Sequence, residues 1–120
     1  MGGDQAPAAI VDGAVDAVCR GSLAVILAGP QDQLEQELVR HAGVDRARVR
    51  TEHAPDVIGM DEPPLSALRR KHGASVKVAA ELVARGDAHA LFSAGHTGAA
   101  FLAAHAAFGV LPAVERPALA

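Results

Sequence analysis

Aromatic side chains are nearly absent from this chain, which has three phenylalanines, no tryptophan and no tyrosine. So few rings cannot build the stacking platform on which proteins bind single-stranded nucleic acid. The net charge of -3 and the sequence pI of about 6.0 also provide no basic field to attract DNA or RNA. We therefore expect no nucleic-acid partner.

Cysteine and long apolar runs are equally scarce. A single cysteine, Cys19, excludes an internal disulfide and is typical of a reducing cytoplasm. No apolar run reaches the roughly 18 residues of a membrane-spanning helix, and the N-terminal residues do not resemble a signal peptide. The histidines lack metal-site spacing, and no Walker A or G-x-G-x-x-G motif occurs, so we expect no metal, ATP or dinucleotide cofactor.

What the chain does contain is an alternation of helical and strand-like patterns. Apolar residues recur at helical spacing in residues 6–20, 31–41 and 75–85, and in the second of these helices Leu34, Leu38 and Val39 are expected to point inward. A short helix is predicted at residues 65–71, and residues 99–108 are an alanine-rich, helix-forming run. Apolar runs at 23–27, 47–52 and 88–92 predict strands. This order predicts βαβ units in a single domain of 120 residues. We expect a three-layer α/β fold with a mostly parallel sheet and helices on both faces, as in Rossmann-like proteins.

Two glycine-bearing turns stand before helices. Gly-Gly-Asp at residues 2–4 precedes the first helix, and Ser-Ala-Gly-His-Thr-Gly at residues 93–98 joins the strand 88–92 to the last helix. Backbone N–H groups at a helix N-terminus attract anions, phosphate above all. The hydroxyls of Ser93 and Thr97 can donate to phosphate oxygens as well. The pattern therefore predicts a phosphate site at these turns.

Five segments in a fixed order extend this pattern. They are Met1-Gly2-Gly3-Asp4 with Ala6-Pro7, Met60-Asp61-Glu62-Pro63, Arg69-Arg70-Lys71 with Ser75, Ser93-Ala94-Gly95-His96-Thr97-Gly98-Ala99, and Arg116-Pro117-Ala118. In order and spacing the chain resembles the bacterial phosphate acyltransferases of phospholipid synthesis, the PlsX family. The resemblance runs along essentially all 120 residues and matches the N-terminal part of a larger catalytic domain.

The resemblance implies an activity and partners. Inorganic phosphate would attack the thioester of acyl-acyl-carrier-protein to give acyl phosphate, without a cofactor. The fold would be related to phosphotransacetylases and isopropylmalate-type dehydrogenases, and the protein would be a cytoplasmic homodimer at the inner membrane surface, held there by parts outside this chain. The first strand of that fold has no counterpart here, so we expect the 120-residue stretch alone to be inactive and poorly stable.

The resemblance also assigns the site. The candidate catalytic residues are Asp4, Ser93, His96 and Thr97. The candidate phosphate- or substrate-binding residues are Gly2, Gly3, Arg70, Lys71, Ser75, Gly95 and Gly98. His96 departs from the family, which usually has asparagine at this position.

Simpler roles remain open for several of these residues. Asp4 could merely cap the first helix, and residues 69–71 could be a solvated charged face. Asp61 and Glu62, beside two prolines, are interpreted as turn residues. Two other functions also remain open: a short-chain phosphotransacylase that uses coenzyme A, or a phosphate- or nucleotide-binding module without catalysis.

Overall fold

The computed structural model describes residues 2–118 and contains five helices and two strands within that range. The elements are α1 (Ala8–Arg20), β1 (Val25–Gly29), α2 (Gln31–Val39), β2 (Val49–His53), α3 (Pro64–Arg70), α4 (Ser75–Ala84) and α5 (Thr97–Phe108). The predicted α/β class is confirmed, with an incomplete Rossmann-like arrangement. Each predicted helix is present, with ends that differ by up to two residues from the sequence pattern.

A βαβ unit forms the first half. Strands β1 and β2 pair in parallel, with Val25 opposite Val49 and Gly29 opposite His53, and α2 makes the connection between them. The two strands begin and end somewhat later than the apolar runs predict. Their carboxyl ends lie side by side, as a parallel pair requires.

The core of this half is formed by one face of each helix and by one side of the two-stranded sheet. Residues three and four apart lie on one helix face. The cluster consists of Val11, Val15 and Val18 from α1, Leu34 and Leu38 from α2, Leu27 from β1 and Val49 from β2. The prediction that Val39 also points inward is wrong. It lies about 140° around the helix from Leu34 and is 76% exposed.

Polar contacts reinforce the same unit. Arg46 and the hydroxyl of Thr51 both donate to the carboxylate of Glu35, which joins α2 to β2. The guanidinium of Arg48 donates to the backbone carbonyls of Gly21 and Leu23. The segment between α1 and β1 is thereby held against the start of β2.

The second half carries the predicted site residues from Arg70 to Gly98 and has a smaller core. Ile58, Ala67, Ala74 and Ala99 form a separate buried cluster that joins the loop after β2 to α3, α4 and α5. A parallel bridge joins Asp56 to Ala74, with the N–H of Ser75 donating to the carbonyl of Asp56 at 2.9 Å. Helix α5 is apolar on all sides, so it has no polar face to direct toward water.

The predicted strand at 88–92 is wrong for the part of the chain that the structure describes. Residues 88–92 are irregular there, and Phe92 is 83% exposed. A strand exists only where a neighbouring strand pairs with its backbone, and β1 and β2 pair with each other. The turn at 93–98 is therefore entered from an irregular segment.

Candidate functional site

The two glycine turns touch each other through their backbones. A Cβ built on Gly2 would lie 2.8 Å from the Cα of Gly95, and one built on Gly95 would lie 2.8 Å from the Cα of Gly2. Gly3, at φ +121°, faces the carbonyl of Ala94, which would be 3.2 Å from an added Cβ. The two turns are thus in direct backbone contact, and only glycine permits so close an approach.

His96 closes the first turn of α5. Its Nδ1 accepts from the N–H of Ala99 at 3.4 Å, and its Nε2 lies 3.1 Å from the backbone carbonyl of Glu62. A carbonyl only accepts and an amide N–H only donates, so this geometry requires the neutral tautomer with the proton on Nε2. Both ring nitrogens are therefore used within the protein, in a capping and bridging contact; a catalytic role for His96 stays a prediction.

The hydroxyl residues and Gly98 occupy the remaining positions of the turn. Ser93 is exposed, and its Oγ accepts from the N–H of Gly95 at 3.3 Å. Thr97 is exposed at the first residue of α5. A Cβ on Gly98 would lie 3.1 Å from Cε1 of His96 and 3.3 Å from Cγ of Pro64, so this glycine makes room for both rings.

Asp4 lies beside the contact between the turns. It is exposed and lines an open hollow of about 280 Å³ together with Gly3, Gln5, Ala6, Ala9, Ile10 and Ala94. Asp4 does not cap α1, which was the simpler role left open for it. The helix begins at Ala8, with Pro7 at the capping position and no side-chain cap, because residues 4–7 form a turn of their own. Asp4 lines the hollow instead.

Lys71 and Arg70 are connected to the turn at 93–98 through Glu62. Lys71 Nζ donates to the carboxylate of Glu62 at 2.5 Å and to the carbonyl of Val57 at 2.6 Å. Arg70 lies 3.6 Å from the same carboxylate, and its side chain is 68% exposed. The hydrogen bond from Lys71, followed by the one from the N–H of Gly59, lowers the pKa of Glu62 below its ordinary value.

Glu62 is the residue that sequence reasoning missed, because it was interpreted as a turn residue only. Its carboxylate holds Lys71 and the N–H of Gly59, while its carbonyl holds His96. The signal was a glutamate three residues after Gly59 and nine before Lys71. Contacts between residues so far apart in the chain become apparent only once the positions of α3 and of the turn at 93–98 in the fold are known.

Ser75 and Arg69 belong to α4 and α3, respectively. Ser75 is buried at the first residue of α4, where its N–H bonds to Asp56. Arg69 belongs to a larger open groove of about 590 Å³ between α3, α4 and α5, whose apolar lining includes Leu65, Leu68 and Leu102. No residue of the glycine turns lines this groove.

Two other kinds of site are not found within residues 2–118. No three histidine, cysteine, aspartate or glutamate side chains in this range gather as a metal site would require. None of the described helices has the length and apolar character needed to cross a bilayer.

Comparison with known proteins identifies relatives of the whole chain. The family described as "Fatty acid synthesis protein" matches residues 1–120. Similar proteins named phosphate acyltransferase include those of Nitratidesulfovibrio vulgaris, 47% identical over 120 residues and all of this chain, and Ectopseudomonas mendocina, 44% identical over 120 residues and 99% of the chain. The chain spans 34% and 36% of these relatives, about a third of their length. It belongs to the fatty acid synthesis protein family.

Proposed function

We propose that the protein carrying this chain is a phosphate acyltransferase that makes acyl phosphate from acyl-acyl-carrier-protein and inorganic phosphate, for phospholipid synthesis. The relatives' name, phosphate acyltransferase, supports the reaction class. The observation that carries the proposal is the backbone contact between Gly2 and Gly95, which brings two turns together at the start of α5.

Phosphate would bind at the first turn of α5. The N–H groups of Thr97 and Gly98 are first-turn amides, which have no acceptor within their own helix. The helix dipole adds partial positive charge at this point, and the exposed hydroxyls of Ser93 and Thr97 supply further donors. These groups together can hold an anion and remove part of its water shell.

The chemistry is an addition followed by an elimination. A phosphate oxygen attacks the thioester carbonyl carbon, and the new C–O bond leaves a tetrahedral oxyanion. Collapse of the oxyanion breaks the C–S bond, and the carrier thiolate leaves and takes up a proton. Fixed donors around the turn would stabilise the oxyanion, and holding both reactants in place would lower the entropic barrier. We assign Asp4, at the hollow, to orienting a donor toward the leaving sulfur.

The remaining assignments extend the same proposal. The exposed guanidinium of Arg70 suits an acidic carrier protein, which would dock next to the turn. We also propose a homodimer in the cytoplasm, associated with the inner face of the membrane through parts outside this chain.

The test uses the full-length protein and measures acyl phosphate formation. We expect turnover with acyl-acyl-carrier-protein and none with acetyl-coenzyme A. Ser93→Ala and Thr97→Val should each lower kcat on the order of 10²-fold, as loss of one oxyanion donor does, while Asp16→Asn on α1 serves as a control with wild-type activity. Turnover with acetyl-coenzyme A would favour the short-chain enzyme, and phosphate binding without turnover would favour a non-catalytic module; either result contradicts the proposal.

A further inference from the structure

The loop that precedes α3 is bonded to both sides of the candidate site. The carboxylate of Glu62 accepts from Gly59 N–H at 2.8 Å and from Lys71 Nζ at the end of α3. Its backbone carbonyl lies 3.1 Å from Nε2 of His96, 34 residues further along the chain. One residue therefore connects the loop, the basic end of α3 and the glycine turn.

The ammonium of Lys71 is committed to this loop. Two of its three donor positions are occupied by the carboxylate of Glu62 and the carbonyl of Val57. Only about a third of the side chain, 30%, is exposed. Its position thus fits a residue that orients the loop better than one that binds a substrate anion.

The direction of the Glu62 backbone carbonyl determines which ring nitrogen of His96 carries the proton. While that carbonyl accepts from Nε2, the proton stays on Nε2 and Nδ1 is free to accept from the N–H of Ala99. If the loop turned away, the proton could move to Nδ1, which would then no longer cap the helix. The bonds that Gly59 and Lys71 make to the carboxylate hold the carbonyl in place.

We propose that Glu62 is a positioning residue that fixes the His96 tautomer and so holds the first turn of α5 in its phosphate-binding geometry. Lys71 acts through Glu62 rather than on phosphate. The inference rests on the proposed function, because the turn is the phosphate site only if that function holds.

The test compares Glu62→Ala, Lys71→Met and the double variant in the full-length protein. Asp61→Asn is the matched control, since it removes the neighbouring exposed carboxylate. Each single variant should raise the KM for inorganic phosphate roughly 10-fold, because small displacements of a binding group are costly. The double variant should be no worse than the single ones, because coupled residues are not additive. Glu62→Gln, which keeps an acceptor oxygen, should recover part of the loss.

The second readout does not depend on turnover. Nitrogen NMR of the His96 ring, assigned by its disappearance in His96→Asn, should show the Nε2–H form in the wild type and in Asp61→Asn. Glu62→Ala should show a mixture of the two tautomers. A wild-type tautomer signature in a folded Glu62→Ala variant would overturn the inference.

A KM for phosphate that rises in Lys71→Met but keeps its wild-type value in Glu62→Ala would instead make Lys71 a direct phosphate ligand and would overturn the inference. If the wild type forms no acyl phosphate, the proposed function fails. The NMR comparison would then still show whether Glu62 positions His96.

Discussion

At the scale of single residues, the site depends on the absence of side chains. Gly2 and Gly95 approach so closely that a Cβ on either would lie 2.8 Å from the Cα of the other. Backbone atoms cannot move aside as the end of a flexible side chain can. The close contact therefore demands glycine at both positions, for steric rather than chemical reasons.

Replacing Gly95 with alanine tests this requirement. The new methyl group should separate the turns and cost about 1–3 kcal/mol of unfolding free energy, the usual cost of overpacking. Gly13→Ala is the control, because nothing lies within 4 Å of its added Cβ inside α1. That change should stabilise the protein by up to about 1 kcal/mol through helix propensity. Urea unfolding of both variants measures the difference, and equal midpoints would contradict the steric argument.

Two carboxylates link stability to acid pH. Hydrogen bonds from Arg46 and Thr51 lower the pKa of Glu35, and hydrogen bonds from Lys71 and Gly59 lower that of Glu62, both from an ordinary value of 4.5. The unfolded chain then binds protons more readily than the folded one. Their contribution to stability is full above 4.5 and is lost as the pH falls through the lower folded values.

We therefore expect the urea midpoint to fall as the pH drops below 4.5. Glu35→Gln and Glu62→Gln should each make that fall shallower, because one linked group is removed. Glu52→Gln on β2 removes an exposed carboxylate without touching either network. An unchanged acid slope in both test variants would show that other groups govern acid unfolding.

At the scale of elements, the spacing of apolar residues predicts where the helices lie better than it predicts which side of each helix is buried. The helices were predicted because their apolar periodicity and end signals lie within each segment. Val39 was placed inward because it is apolar, although its angle around α2 points it to solvent. In α5 the apolar residues surround the helix, so periodicity could not indicate a buried face.

A pair of truncations in α2 tests which side faces the core. Leu34 is 1% exposed, and Leu34→Ala should cost about 2–5 kcal/mol, through lost burial and the cavity left behind. Val39→Ala, at a mainly exposed position of the same helix, should stay within about 0.5 kcal/mol of the wild type. Chemical denaturation of the two variants provides the measurement. A large loss in Val39→Ala would place a partner surface over that side of α2.

At the scale of the whole molecule, long-range pairing marks the limit of sequence prediction. The βαβ unit followed from rules of chain order. The strand at 88–92 did not form in the described part of the chain, because a strand depends on a neighbour that its own residues do not specify. The role of Glu62 was missed for the same reason, since its partner His96 lies 34 residues away.

The division of the core into two clusters has a dynamic consequence. The first cluster is made of valines and leucines, whereas three of the four residues in the second are alanines, which bury little apolar area. The half that holds the turn at 93–98 should therefore open first in local unfolding, with faster amide hydrogen exchange than β1 and β2. Any ligand that binds only the closed turns would oppose that opening by mass action. Ligand binding at the site and the resistance of the weaker half to local opening are therefore thermodynamically linked.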